Sequence, residues 1–100
     1  MLRHIVAWNL KDDSTGQERA EKIKYVREQL ETLYPAVPQL KEIKVVTTEM
    51  IDGSNREIFL NTLFDSEVTF KEYMDHPFHL DVVKNISHLL QDRIAVDYVE

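Results

Sequence analysis

The sequence has 100 residues, no cysteine, a formal net charge of −6 at pH 7 and 43% hydrophobic residues. This length fits one domain spanning residues 1–100, and the mixture of apolar and charged residues is typical of a folded protein. The acidic balance argues against nucleic-acid binding, because proteins that bind the phosphate backbone carry a basic patch. The lack of cysteine excludes disulfides and thiolate metal ligands.

The start of the chain and its hydropathy predict a cytoplasmic location. Residues 1–4 enter a strand-like pattern directly, without the charged region and apolar core of a signal peptide. No apolar run approaches the ~20 residues that a membrane span needs. The absence of cysteine suits a reducing compartment.

The first predicted element is a strand from Leu2 to Leu10. Both of its faces carry apolar residues, so both are expected to be covered. His4 lies on the more apolar face with Val6 and Trp8. A histidine in that position is ordinarily a hydrogen-bonded core residue, and it becomes functionally interesting if other polar groups reach the same space.

An amphipathic helix is predicted next. The pattern from Ser14 to Gln17 fits a capping box, and apolar residues then recur at helical spacing to about Tyr34. Pro35 is expected to end this helix.

The middle of the chain predicts a β-hairpin. Residues 42–50 and 56–64 alternate in the manner of strands and are rich in β-branched residues. Asp52 and Gly53 form a turn signal between them.

The segment Tyr73–His79 (YMDHPFH) predicts a corner between two helices. Ser66 can cap the first helix, and Pro77 suits the first position of the second, which is expected to run to about Gln91. His76 is expected to be a cap or corner residue. If Tyr73 and His79 both point inward, a phenol and an imidazole converge and can act as an acid–base pair. The alternative is a purely structural corner with a buried, hydrogen-bonded histidine and tyrosine.

The last predicted strand, residues 93–99, completes the order strand, helix, strand, strand, helix pair, strand. This order is typical of the split βαβ, ferredoxin-like α+β fold, in which helices cover one face of a four-stranded antiparallel sheet. The other face is expected to be apolar and to pair with a second copy, sheet against sheet, in a homodimer. The residues assigned to that face are Ile5, Ala7, Val46, Phe59, Leu63, Ala95 and Val99. The alternative is a monomer with a few exposed apolar residues.

The chain resembles a known family at four places. Arg3–Val6 opens the first strand, Phe64–Glu67 leads into Tyr73–His79, and Asp97 and Tyr98 close the last strand. This pattern is similar to the stress-responsive dimeric α/β-barrel (Dabb) domain over essentially the whole chain. The resemblance implies a homodimer whose two sheets close into a barrel, with a cavity in each subunit between its sheet and its helices.

The resemblance also implies site residues. A plant member of the family is a polyketide cyclase that closes a linear poly-β-ketoacyl thioester by aldol condensation, without a metal or cofactor. Its catalytic tyrosine and histidine correspond to Tyr73 and His79. His4 would line the pocket, and Asp97 could hold the His79 imidazole in one tautomer. The aromatic residues expected around the same pocket are Trp8, Phe70 and Phe78.

Three hypotheses follow from the sequence. The first is a stress-related homodimer that binds a small, mostly apolar molecule, with no established reaction. The second is a cofactor-free enzyme of the cyclase or lyase type, with His79 as base and Tyr73 as hydrogen-bond donor. The third is a purely structural dimeric barrel with a filled interior. No metal site is expected, because His76 and His79 lack a third ligand at matching spacing.

Overall fold

The sheet has four antiparallel strands in the order β2-β3-β1-β4, with helices on one of its faces. This computed structural model describes residues 1–100. The elements are β1 (Leu2–Leu10), α1 (Gly16–Glu31), a short kinked segment α2 (Leu33–Ala36), β2 (Glu42–Val46), β3 (Ile58–Phe64), α3 (Glu67–Asp75), α4 (Pro77–Ile86), a 3₁₀ turn (Ser87–Leu89) and β4 (Leu90–Val99). The predicted ferredoxin-like α+β fold is confirmed.

The hydrophobic core lies between the helices and the face of the sheet that they cover. It combines apolar side chains from every helix with those of β1, β2 and β3 that face the same way. Its buried members are Leu2, Val26, Leu30, Leu33, Val37, Leu40, Val45, Ile58, Leu60, Phe64, Tyr73, Val82 and Ile86. The longest helix, α1, has 16 residues and is rich in charge, and none of the helices could cross a membrane.

The register of β4 corrects the predicted composition of the uncovered face. Val6 pairs with Ala95, and Leu2 pairs with Val99. Paired residues share a face of the sheet, so Ala95 and Val99 lie on the helix-facing side and not on the open one. The β4 residues on the open face are Ile94, Val96 and Tyr98. Both faces of β4 carry apolar residues in the sequence. Only the pairing of β4 with β1 decides which face lies against the helices.

The predicted capping box of α1 is wrong. The helix starts at Gly16, and its N-cap, Thr15, makes no side-chain cap hydrogen bond. Ser14 instead donates its backbone N–H and its hydroxyl to Asp12. The chain also turns at Gly16 with φ +59°, a conformation that suits glycine. The side-chain amide of Gln17 donates to the Glu21 carboxylate (3.2 Å) instead of reaching back to Ser14.

Helix α1 ends at Glu31, three residues before the predicted end at Tyr34. Tyr34 has extended dihedral angles (φ −116°, ψ 127°). The ring of Pro35 excludes the preceding residue from the helical region, which explains why the helix cannot run up to the proline.

Strand β2 pairs with β3 as predicted but ends at Val46 rather than Met50. The backbone N–H of Thr47 donates to the Glu49 carboxylate instead of to a neighbouring strand, and Arg27 holds the same carboxylate. These hydrogen bonds, the backbone one foremost, lower the pKa of Glu49 to about 2. A side chain therefore replaces the strand ladder at this point, and the connection to β3 is a long loop rather than a short turn.

Helix α4 is shorter and β4 is longer than the sequence predicts. The helix ends at Ile86, not near Gln91, and β4 begins at Leu90, not Arg93. Leu90 pairs with Leu10 of β1. Pairing between distant strands therefore sets this boundary, and local helical periodicity does not reveal it.

Candidate active site

The corner between α3 and α4 positions the two predicted catalytic side chains. His76 ends α3 by donating its backbone N–H to the Tyr73 carbonyl (3.1 Å). It also begins α4, because its Nδ1 accepts the backbone N–H of Phe78 (3.1 Å), with Pro77 at the first helical position. The predicted cap role of His76 is confirmed. The resulting turn brings the Tyr73 and His79 rings to a centroid distance of 4.4 Å.

The start of α3 is also as predicted. The Ser66 hydroxyl accepts the backbone N–H of Thr69 (3.3 Å), and the Thr69 hydroxyl accepts the backbone N–H of Ser66 (3.1 Å). This reciprocal pair satisfies two otherwise unpaired donors. It fixes the helix that carries Tyr73.

His79 is held in one tautomer by the backbone. Its Nδ1–H donates to the Met74 carbonyl at 3.0 Å, since a carbonyl can only accept. A neutral ring therefore carries its lone pair on Nε2. Burial lowers the pKa of His79, and the nearby His4 and His76 lower it further, against the opposing hydrogen bond to Met74. With 8% of the residue exposed, His79 is a neutral imidazole at physiological pH.

Tyr73 supplies a neutral hydroxyl beside this imidazole. Only 1% of the residue is exposed, and its ring packs against Phe64 at a centroid distance of 4.8 Å. Burial raises the pKa of the phenol above its ordinary value. No group of the chain hydrogen-bonds to the hydroxyl, and the residue lines a cavity. The hydroxyl is thus available to a bound molecule.

The partner of Asp97 differs from the one the resemblance implied. The Nδ1–H of His4 donates to the Asp97 carboxylate, whereas His79 is bonded to the Met74 carbonyl. The reason is the strand register, which places His4 directly opposite Asp97. Asp97 therefore orients the imidazole of His4, whose ring also packs on Phe70 at 4.8 Å.

A cavity of about 480 Å³ lies between the sheet and α4. Among the residues that line it are His4, Tyr73 and His79, which contribute polar groups. Trp8 lies on its floor. Its apolar lining residues are Val6, Leu30, Leu33, Leu60, Met74, Leu80, Val82, Val83, Ile86 and Leu90. This volume and this mostly apolar lining are typical of small-molecule sites.

Two of the predicted aromatic residues do not line this cavity. Phe70 lies behind His4, between its ring and Phe64 (5.3 Å). Phe78 is 37% exposed at the start of α4. Its ring points away because the cap places His79, and not its neighbour, on the inner side of the helix. Asp97 likewise contacts the site only through His4.

Comparison with known proteins identifies the family. The family model of the stress responsive A/B barrel domain (Dabb) matches residues 2–100. The chain belongs to this family. No curated protein sequence matches it.

Several solved structures share the Dabb fold. A dimeric protein of unknown function with a ferredoxin-like fold from Bacteroides fragilis NCTC 9343 is 28% identical, with a TM-score of 0.85 over 99% of this chain and 95% of that one. A dimeric ferredoxin-like protein of unknown function from Thermobifida fusca YX is 27% identical, with a TM-score of 0.82 over 99% and 90%. A hydroxynitrile lyase from Passiflora edulis is 19% identical, with a TM-score of 0.78 over 99% and 92%. This last likeness shows the fold alone.

Sequence reasoning missed three features of this Dabb site. The Met74 carbonyl selects the His79 tautomer, and a backbone group leaves no sequence signal. Val83, predicted to be buried, is partly exposed and lines the cavity together with Leu80. Arg93 also lines the cavity, and its alternation with Asp97 along the last strand was a signal that could have found it.

His76 and His88 do not line the cavity. His76 uses its Nδ1 as a helix cap, and His88 is exposed, as predicted. No three or more His, Asp or Glu side chains are arranged to hold a metal ion.

Burial of His79 predicts a pH-dependent stability for this Dabb domain. Between the depressed pKa of folded His79 and the ordinary histidine value of 6.5, the unfolded state binds more protons than the folded state. Stability contributed by the neutral ring is therefore present above pH 6.5 and is lost as pH falls through the folded pKa. Urea unfolding of the wild type and His79→Asn between about pH 8 and about pH 5 measures this, and the wild type should lose more stability than the variant. A constant difference between the two proteins would contradict the prediction.

Proposed function

We propose that this Dabb domain binds a small, mostly apolar carbonyl compound and catalyses proton transfer on it without a cofactor, in a lyase or aldol-cyclisation type of reaction. One observation carries the proposal. The Met74 carbonyl holds the Nδ1–H of His79, which leaves the Nε2 lone pair as a base inside an apolar cavity beside the Tyr73 hydroxyl.

The chemistry follows from these two groups. The Nε2 atom of His79 accepts a proton from the carbon next to the carbonyl, or from a hydroxyl on it. The Tyr73 hydroxyl donates a hydrogen bond to the oxygen on which negative charge develops. Because burial keeps the imidazole neutral and the phenol protonated, both groups start in the form that the reaction needs. His4, oriented by Asp97, is a further polar group of the cavity.

The other two hypotheses from the sequence, a filled structural barrel and binding without a reaction, make different demands on the cavity. An open space of about 480 Å³ favours a ligand over a filled, purely structural interior. Binding without a reaction, in a stress-related role, requires the same cavity but not the arrangement of His79 and Tyr73. The hydroxynitrile lyase from Passiflora edulis indicates that the fold is compatible with lyase chemistry.

Exchange of the α-protons of a simple ketone for deuterium tests the proposal without knowledge of the natural substrate. Decanone, a mostly apolar ketone, is incubated with the protein in deuterium oxide and followed by proton NMR. Exchange faster than in buffer, saturating with ketone concentration, supports the catalytic function. Saturable binding without enhanced exchange favours the binding function, and no binding at all contradicts both.

We further propose that the domain is a homodimer formed through the open face of the sheet and closing into a barrel. Ile94, Val96 and Tyr98 expose 47%, 54% and 45% of their surface there. An exposed apolar patch on a sheet is typical of an interface. The related proteins from Bacteroides fragilis and Thermobifida fusca are dimeric.

Val96→Lys is expected to shift this domain from dimer to monomer. Burying an unpaired ammonium costs several kcal/mol, so the dimer dissociation constant should rise by at least about a hundredfold. Sedimentation velocity over a range of protein concentrations measures the shift. Val68→Lys is the matched control, since Val68 is 67% exposed on α3. A wild-type monomer, or a Val96→Lys dimer as tight as the wild type, would contradict the proposed interface.

A further inference from the structure

Arg93 owes its position to an irregularity in the pairing of β1 with β4. Between two paired positions, β1 has one residue, Trp8, where β4 has two, Asp92 and Arg93. Asp92 is the extra, unpaired residue and has φ +55°, as in a β-bulge. Arg93 therefore lies on the same face of β4 as Ala95 and Asp97, which is the helix-facing side, and it is opposite Trp8. A cationic side chain is thereby directed to the rim of the cavity, which Asp92 also lines.

The Arg93 guanidinium has no partner within the chain. Each of the other arginines is engaged: Arg3 with Glu100, Arg19 with Glu57, Arg27 with Glu49, and Arg56 with the backbone carbonyls of Asn55 and Asp92. The nearest carboxylate in sequence, Asp92, accepts instead from the side-chain amide of Asn9 (3.1 Å). Arg93 is therefore the arginine that remains available to a ligand.

The cavity consequently has two different ends. One end carries His4, Tyr73 and His79. On β4, Asp97 lies at this end, because it is hydrogen-bonded to His4. Arg93 lies four strand positions from Asp97, a separation of ~13 Å at the usual rise per residue. Apolar side chains of β1 and α4 line the space between.

We propose that Arg93 binds the carboxylate of an elongated oxo-acid whose carbonyl group lies at the His79 and Tyr73 end. This inference rests on the proposed function and names its substrate class. A guanidinium fork matches a carboxylate with two parallel hydrogen bonds. The chain as a whole has a charge of −6, so an anionic ligand needs a local cation at the entrance. Trp8, opposite Arg93, provides an apolar floor for the chain of the ligand.

Three ligands of matched length separate this inference from the proposed function. They are an oxodecanoate with its ketone next to the terminal methyl group, the methyl ester of that acid, and decanone. Trp8 is the only tryptophan and lines the cavity, so its fluorescence reports binding of each. The wild type is expected to bind the acid about fivefold more tightly than the ester at low salt. This preference should shrink at high salt, where the Debye length falls to ~3 Å.

Variants assign the preference to Arg93. Arg93→Met should abolish the preference, so that acid and ester bind with equal affinity, and Arg93→Lys should retain part of the preference. Lys24→Met makes the same change of charge at an exposed position outside the cavity and should keep the full preference. Equal affinity of the wild type for acid and ester, or a preference that survives Arg93→Met, would overturn the inference. The proposed function stands in that case if the ester still exchanges its α-protons. Failure of all three ligands to bind overturns both.

Discussion

His79→Asn is expected to slow α-proton exchange of bound decanone by about a hundredfold to ten-thousandfold, the range for loss of a general base. The asparagine side-chain amide can replace Nδ1–H as donor to the Met74 carbonyl, which is 3.0 Å away in the wild type. It has no counterpart of Nε2, so the base is removed while the structural hydrogen bond is kept. Deuterium incorporation followed by NMR at saturating ketone gives the rate, and circular dichroism checks the fold.

The pH profile distinguishes loss of the base from a general loss of structure. Wild-type exchange should rise with pH through the depressed pKa of His79, below 6.5, and level off near neutrality. The variant should lack this rise. His88→Asn changes an exposed histidine outside the cavity and should leave rate and profile unchanged. If His79→Asn exchanges protons within about threefold of the wild type, well short of the loss expected of a base, His79 is not the base.

Phe64→Ala is expected to have the largest effect on stability, a loss of about 3–5 kcal/mol in the free energy of unfolding. Phe64 is 0% exposed and packs against both Phe70 (5.3 Å) and Tyr73 (4.8 Å). Truncation removes its burial and leaves a void that the rigid surroundings fill only partly. Such a loss is a large fraction of the ~5–15 kcal/mol of a typical domain.

Urea unfolding at one fixed protein concentration measures this loss, because dimerisation would make stability depend on concentration. Phe78→Ala is the matched control, since that ring is 37% exposed and lies outside the core cluster. It should cost well under half as much. A loss below about 1 kcal/mol for Phe64→Ala, the size of an average substitution, would contradict the tight packing behind Tyr73.

Local signals in the sequence predicted the corner of the site correctly. Ser66 caps α3, and His76 with Pro77 separates α3 from α4. Both depend on contacts between residues two or three positions apart, so the residues themselves determine them. Tyr73 and His79 meet for the same reason, because a single turn joins the helices that carry them.

Two predicted element ends failed because distant parts of the chain compete with local preference. Strand β2 ends early because Glu49, held by Arg27, takes the N–H of Thr47. Helix α4 gives way to β4 because Leu90 pairs with Leu10. Neither competitor can be identified from periodicity, since periodicity describes one element at a time.

The sequence by itself thus determined the fold class and the helix corner that carries Tyr73 and His79. Only the tertiary structure decided that Asp97 serves His4, that Phe70 and Phe78 lie outside the cavity, and that Arg93 reaches its rim. For Asp97 and Arg93 the physical reason is strand register. His4 and Asp97 are 93 positions apart, and a shift of one residue between β1 and β4 would turn every side chain of β4 to the opposite face.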